Sequence, residues 1–343
     1  MGTRNHGLGP RQIARFEQAA SLLPGLDPVE IYRFYIRHMQ SGRKAVPFLD
    51  ASRSYLQMLV ETGRAVAYVS HARKALEDFA EELGSRVVAD YDAEAIRGHL
   101  YGLNYSPVTI RHRRGHLLCA FAWWAEQGWI DANPVEKVKR PNVVSGEPGI
   151  LPVADMERLF RANEKVDPGI CGILALGAFA GMRTSAIGRL DFAELDFGQR
   201  GILTPACKTK KRRRQWIEGL PENLWKWLER TPPEIFALDG RQLLHRRAEA
   251  FKRAGLLIEA DDIAYENRKR EARGEPLVTW QPTHPPKNCL RHSFATYHVA
   301  LHRDPGKTAL LLSHRNQQVL YQHYLGIATS AEAEKYFRIL PRK

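Results

Sequence analysis

Apolar residues recur at helical spacing through most of the chain. Val69, Ala72, Leu76, Phe79 and Leu83 fall at intervals of three and four, and Gly84 follows as a stop. Ser106-Pro107 opens a second helix with a capping hydroxyl and a proline in the first turn, placing Ile110, Leu117, Phe121 and Trp124 inward until Gly128. The longest apolar run, Ile170 to Met182, has the length of a buried helix and not of a membrane span. Asp155–Asn163 is amphipathic, and strand-like pieces follow at Ile202–Thr204 and Gln215–Glu218. Between them Lys208–Arg214 holds six basic residues in seven and reads as a hairpin tip. Helices dominate again to the end, with a charged insertion around Glu266–Arg273.

The polar stretch 137–149, with two prolines and Ser145-Gly146, marks the domain boundary. This divides the chain into an N-terminal extension (1–44), an all-α domain (45–136), the linker, and a mainly helical domain with a small sheet (150–343). At 343 residues, two cores are expected.

The balance of 51 Lys+Arg against 38 Asp+Glu, a formal +13, asks for an acidic partner, nucleic acid first and an anionic membrane second. Seven Trp, twelve Tyr and thirteen Phe exclude a disordered chain. The N-terminus has no hydrophobic signal core, so a cytoplasmic protein is expected. Cysteines at 119, 171, 207 and 289 form no CxxC pair, and reduced, mostly buried thiols are expected. No phosphate-binding loop or metal-ligand cluster stands out, and Glu259-Ala-Asp261-Asp262 reads as a loop.

Three segments can carry chemistry. Gly181-Met-Arg183-Thr-Ser-Ala and Asn288-Cys-Leu-Arg291-His-Ser-Phe-Ala-Thr each set an arginine against a strongly apolar segment, which is costly unless the arginine is paired or faces an anion-binding cleft. The third runs from His314 to Tyr324. A tyrosine with a free pKa of roughly 10 needs cationic neighbours and a base to act as a nucleophile.

Taken in order, with a basic hairpin between the two arginines, these segments resemble the tyrosine recombinase (phage integrase) family, from about Val46 to the C-terminus. LRHSFAT is the most specific match and GMRTSAIGRL the next. The resemblance implies a helical core-binding (SAM-like) domain and a mixed catalytic domain closing as a clamp on double-stranded DNA. It implies that Arg183 and Arg291 grip the scissile phosphate, Lys208 (or Lys210 or Lys211) protonates the leaving 5′ oxygen, and His314 bonds the phosphate region. Tyr324, ten residues after His314, is the implied nucleophile, with Tyr321 in a packing position. Arg111, Arg113, Arg114, Lys210, Lys211 and Arg212 are the expected DNA contacts. Neither metal nor cofactor is called for, and a homo-tetramer on DNA (monomer or dimer off it) is implied. The amphipathic C-terminal stretch docks either on a neighbouring protomer or in cis. Two positions depart from the family: Asn288 where a histidine is usual, and Ala186 where an acid is usual. Asparagine donates a hydrogen bond but shuttles no proton. His292 faces away from Arg291 on a helix and is no obvious substitute. The departures keep open a degenerate member that binds DNA without cutting. A type IB topoisomerase-like relaxing enzyme is the other alternative.

Overall fold

The computed structural model describes residues 45–102, 104–143, 146–204, 214–313 and 317–342, with scattered positions before 45. Two units divide between Ser145 and Gly146.

Among the described residues from 45 on, the first unit packs the helices α1 (Phe48–Glu61), α2 (Val66–Leu83), α3 (Ala93–Gly102) and α4 (Pro107–Glu126). Caps fix two boundaries. Gly84 ends α2 at φ 75°, and the Ser106 hydroxyl accepts the Thr109 amide at 3.3 Å to open α4. The core is aromatic. Phe48 stacks on Phe79 at 4.9 Å, and Phe121 meets Trp124 edge-on at 4.6 Å. Trp124 Nε1 donates to the Ala51 carbonyl, so its one polar atom is satisfied.

The expected basic face of α4 is corrected here. Arg114 is 6 % exposed; its Nε donates to the Val138 carbonyl at 2.7 Å and its Nη2 to that of Val135 at 3.0 Å. The reason is its place in the buried stripe, Ile110-Arg114-Leu117-Phe121-Trp124, spaced 4-3-4-3. It ties α4 to the turn Pro134–Lys137 and is not free to hold a phosphate. Arg113 pairs with Asp78 and lies over the Tyr105 ring at 4.2 Å. Of the three arginines, Arg111 alone is exposed. Arg114→Met is expected to cost roughly 2–4 kcal/mol, because two buried carbonyls lose a charged donor. A urea denaturation midpoint measures it.

In the second unit α5 (Val153–Asn163) and α6 (Pro168–Phe179) are followed by the single turn α7 (Thr184–Ile187). Asp167 caps α6 through the Ile170 amide and pairs with Arg246. The sheet is antiparallel in the order β1 (Leu195–Asp196), β2 (Gly201–Thr204), β3 (Gln215–Ile217), with Leu203 opposite Trp216 and Thr204 opposite Gln215. The expected hairpin strands are therefore present, whereas Lys208, Lys210, Lys211 and Arg212 lie outside the described residues. Then come α8 (Glu222–Leu228), α9 (Gly240–Arg253), α10 (Ala260–Ala272), α11 (Cys289–His302), α12 (Pro305–Leu311), α13 (Gln318–His323) and α14 (Ser330–Phe337).

Two further expectations meet the structure here. Glu259–Asp262 is not a loop: Glu259 and Asp262 form a capping box that opens α10, and Lys252 pairs with both. The C-terminal stretch packs in cis. Tyr336 is fully buried, donates to the Ala178 carbonyl at 2.6 Å and stacks on Tyr297 at 4.3 Å, while Trp227 Nε1 donates to the Ile339 carbonyl at 3.0 Å. Cys171 and Cys289 are buried, and burial pushes the Cys171 thiol up to about 12. Cys119 is exposed, against expectation, because it faces outward from α4, and Cys207 lies outside the described residues. Among the described residues no helix is long and apolar enough to cross a membrane.

Candidate active site

Arg183 and Arg291 arrive in one groove from segments 108 positions apart. The buried helix α6 ends at Gly181, whose φ of 62° turns the chain back. A Cβ at Gly181 would sit 2.4 Å from Leu312 Cδ2 and 2.5 Å from Phe294 Cδ1, so only glycine fits. Arg183 then caps α7 in an extended conformation, exposed on the groove. Arg291 comes from the first turn of α11. It is half-buried, and its Nη1 and Nη2 donate to the carbonyls of Gly181 (2.5 Å) and Leu312 (2.9 Å). These bonds fix its guanidinium between the turn before Arg183 and the end of α12. The planar fork of five N–H donors suits such bridging, since two acceptors on separate segments can be reached from one rigid group.

The groove is cationic. Arg189, from the same segment as Arg183, lines it as a third arginine. Thr204, Gln215 and Ser313 supply neutral polar atoms, with Met182, Ile217, Leu311 and Leu312 as apolar wall. Among the described lining residues none is acidic, and Ala186, where the family usually has an acid, is one of them. Ser313, at φ 52°, donates to Gln215 Oε1 at 2.8 Å and ties the end of α12 to β3. His314 lies outside the described residues, directly after this lining serine, and the basic hairpin segment leaves from the lining residue Thr204.

Asn288 does not line this groove. It caps α11 in the left-handed region (φ 56°, ψ 22°), which asparagine tolerates better than most residues, and opens on an adjoining cavity with Arg291 and Arg247. Arg247 Nη1 donates to Thr184 Oγ1 at 3.2 Å, and the guanidinium lies over Phe251. It therefore braces the segment carrying Arg183 against α9.

The two tyrosines are reversed from expectation. Tyr321 is 54 % exposed, whereas Tyr324 is 7 % exposed and packs among Ile217, Leu311, Leu312 and Leu320. Tyr324 Oη lies 2.7 Å from His292 Nδ1, and the two rings stack at 5.8 Å. Burial raises the Tyr324 pKa and the nearby Arg291 charge opposes it, so burial outweighs the expected cationic lowering. Burial and Arg291 together lower that of His292. His292 thus does not face away from the site.

No family model matches the sequence. The tyrosine recombinase XerC of Salmonella typhi is 29 % identical over 238 residues, spanning 67 % of this chain and 73 % of that protein. The structure of a lambda integrase dimer bound to a COC′ core site superposes with a TM-score of 0.56 and 17 % identity, covering 92 % of this chain and 87 % of that one. The Tn1549 transposon integrase bound to transposon right end DNA gives 0.50 at 16 % identity, covering 83 % and 98 %. The chain is thus similar in sequence to a tyrosine recombinase and shares the fold of the integrases.

Within this integrase-like fold, three residues here were missed from the sequence. Arg189 stood in the quoted GMRTSAIGRL motif and could have been found there. His292 stood in LRHSFAT, but its partner Tyr324 comes from a distant segment. Arg247 carries no motif signal at all. Clusters of three or more His, Cys, Asp or Glu that could hold a metal ion are absent among the described residues.

The helix that presents Arg291 and His292 is held by a second histidine. His298, fully buried on α11, bonds Thr308 Oγ1 of α12 at 2.7 Å. Burial first, then the charges of His302 and Lys307, push its pKa down from 6.5 to about 3, with Asp304 opposing. Above pH 6.5 the histidine is neutral in both folded and unfolded chains. Between 6.5 and 3 the unfolded chain takes up a proton that the folded one refuses, so stability falls with pH, by at most about 1.4 kcal/mol per unit. Chemical denaturation at pH 7 and pH 5 is expected to show this loss, and His298→Gln to reduce it.

Proposed function

We propose that this chain is a site-specific DNA recombinase that cuts and rejoins duplex DNA through a 3′-phosphotyrosyl intermediate. The observation that carries the reading is the meeting of Arg183 and Arg291 in one groove, with no acid among its described lining residues, beside Tyr324. A phosphodiester is the ligand such a groove suits. Planar guanidinium groups take its non-bridging oxygens in paired hydrogen bonds and stabilise the charge that grows at phosphorus in the transition state. In this reading Tyr324 Oη attacks phosphorus, the 5′ oxygen leaves with a proton from Lys208, and His314 bonds the phosphate region. The bond energy stays in the phosphotyrosine, so the reaction asks for neither ATP nor metal. Arg111 and the basic segment with Lys210, Lys211 and Arg212 contact the duplex backbone. The exchange of strands takes place in a homo-tetramer, as in the lambda integrase tetramer solved on a Holliday junction.

A second reading, DNA binding without cleavage, is favoured by the burial of Tyr324 and by Asn288 facing the adjoining cavity. One experiment separates the two. Bound sites are mapped in the native genome, and the strongest is made into a nicked suicide duplex. Recombination predicts a covalent adduct in the presence of EDTA, located by mass spectrometry on the Tyr324 peptide. Tight, steeply salt-dependent binding with no adduct would establish the second reading.

A further inference from the structure

Two features stand outside the reaction assigned above: the His292–Tyr324 contact and the Arg247 brace. The first touches an atom that reacts. We infer that His292 is the general base of this site, taking the proton from Tyr324 Oη as the tyrosine attacks phosphorus. This rests on the recombinase reading of the same groove.

Geometry is the first argument. Nδ1 stands 2.7 Å from Oη, within the reach a proton transfer needs, and the rings are stacked at 26°, so the contact is not an incidental edge. Position is the second. His292 follows Arg291 in the first turn of α11, and Arg291 is held by the Gly181 and Leu312 carbonyls. A phosphate on Arg291 thus lies beside a tyrosine already bonded to its base. Chemistry is the third. With its proton on Nε2, a neutral His292 presents the Nδ1 lone pair to the phenol. Burial and the Arg291 charge both favour that neutral form. The phenol, raised by burial, keeps its proton until a base removes it. Asn288, in the position where the family usually has histidine, has no titrating nitrogen to offer.

The step balances. The Oη–H bond breaks as the Oη–P bond forms, and the proton passes to His292 Nδ1. The P–O5′ bond breaks, and the 5′ oxygen takes a different proton from Lys208. On rejoining, the 5′ hydroxyl gives its proton back to Lys208 as the P–O5′ bond forms, the Oη–P bond breaks, and the His292 imidazolium returns the proton to Oη.

The test measures single-turnover adduct formation on the nicked suicide duplex of the strongest mapped site. His292→Ala is expected to slow it about 10²-fold or more while leaving affinity for the duplex unchanged. Added imidazole is expected to restore at least tenfold. His292→Gln keeps a hydrogen-bonding group beside Tyr324 but accepts no proton, and is expected to be as slow as His292→Ala. Four results overturn the assignment while wild type is active: His292→Ala within threefold of wild type, a faster His292→Ala (a latch), a loss that imidazole leaves unrepaired, or a Gln variant near wild type. No adduct from wild type overturns the recombinase reading itself, and the base with it.

Discussion

Tyr324→Phe is expected to bind the mapped duplex with unchanged affinity and to form no covalent adduct. The substitution removes only Oη. The ring stays in its cluster with Ile217, Leu311 and Leu312, and the lost bond to His292 Nδ1 costs about 1 kcal/mol of stability. Folding is therefore preserved while the nucleophile is gone, so the change in adduct yield reports chemistry. Tyr321→Phe is the matched control. Its ring is exposed and stands outside the buried cluster that holds Tyr324, and adduct formation within threefold of wild type is expected. An adduct with Tyr324→Phe, or its loss with Tyr321→Phe, transfers the nucleophile to the exposed residue. Gel electrophoresis of the denatured reaction reads both.

That tyrosine also shows where a sequence stops being informative. Distance from His314 distinguishes Tyr324 from Tyr321 by number alone. Which of them points inward depends on how α13 meets β3 and α12, contacts made far along the chain. Local signals were readable where local physics decides: Ser106 and Gly84 fix helix ends because caps act within four residues, and the strand-like pieces on both sides of Lys208–Arg214 pair with each other. Arg114 was misread as surface because four basic residues in a row outweighed its 4-3-4-3 spacing with Ile110 and Leu117. The helix α10 was missed because it buries no residue and so shows no apolar period, although its capping pair was plain in the sequence. The meeting of Arg183 with Arg291 followed from motif order. The contacts of Arg247 and His292 did not, since their partners lie 63 and 32 residues away.

Arg291→Ala is expected to lose about 10³-fold in adduct formation and roughly 2–4 kcal/mol in stability together. The coupling follows from what the guanidinium does. Two of its nitrogens satisfy the Gly181 and Leu312 carbonyls, joining the turn that presents Arg183 to the end of α12. Gly181 is 2 residues before Arg183, and its neighbours Leu312 and Phe294 leave no room for the turn to adjust. Removing Arg291 thus strands two carbonyls, loosens Arg183 and withdraws the charge beside Tyr324 in one change. Arg291→Lys separates charge from shape. A lysine ammonium restores the positive charge but cannot reach both carbonyls as a planar fork. It is expected to recover less than tenfold of the lost rate and under half of the lost stability. Full recovery by lysine would show that charge alone matters at this position. An Arg291→Ala protein as stable as wild type would show that the two carbonyl bonds carry no load, and the groove would then have to be assembled by the packing of Leu312 and Phe294 on Gly181.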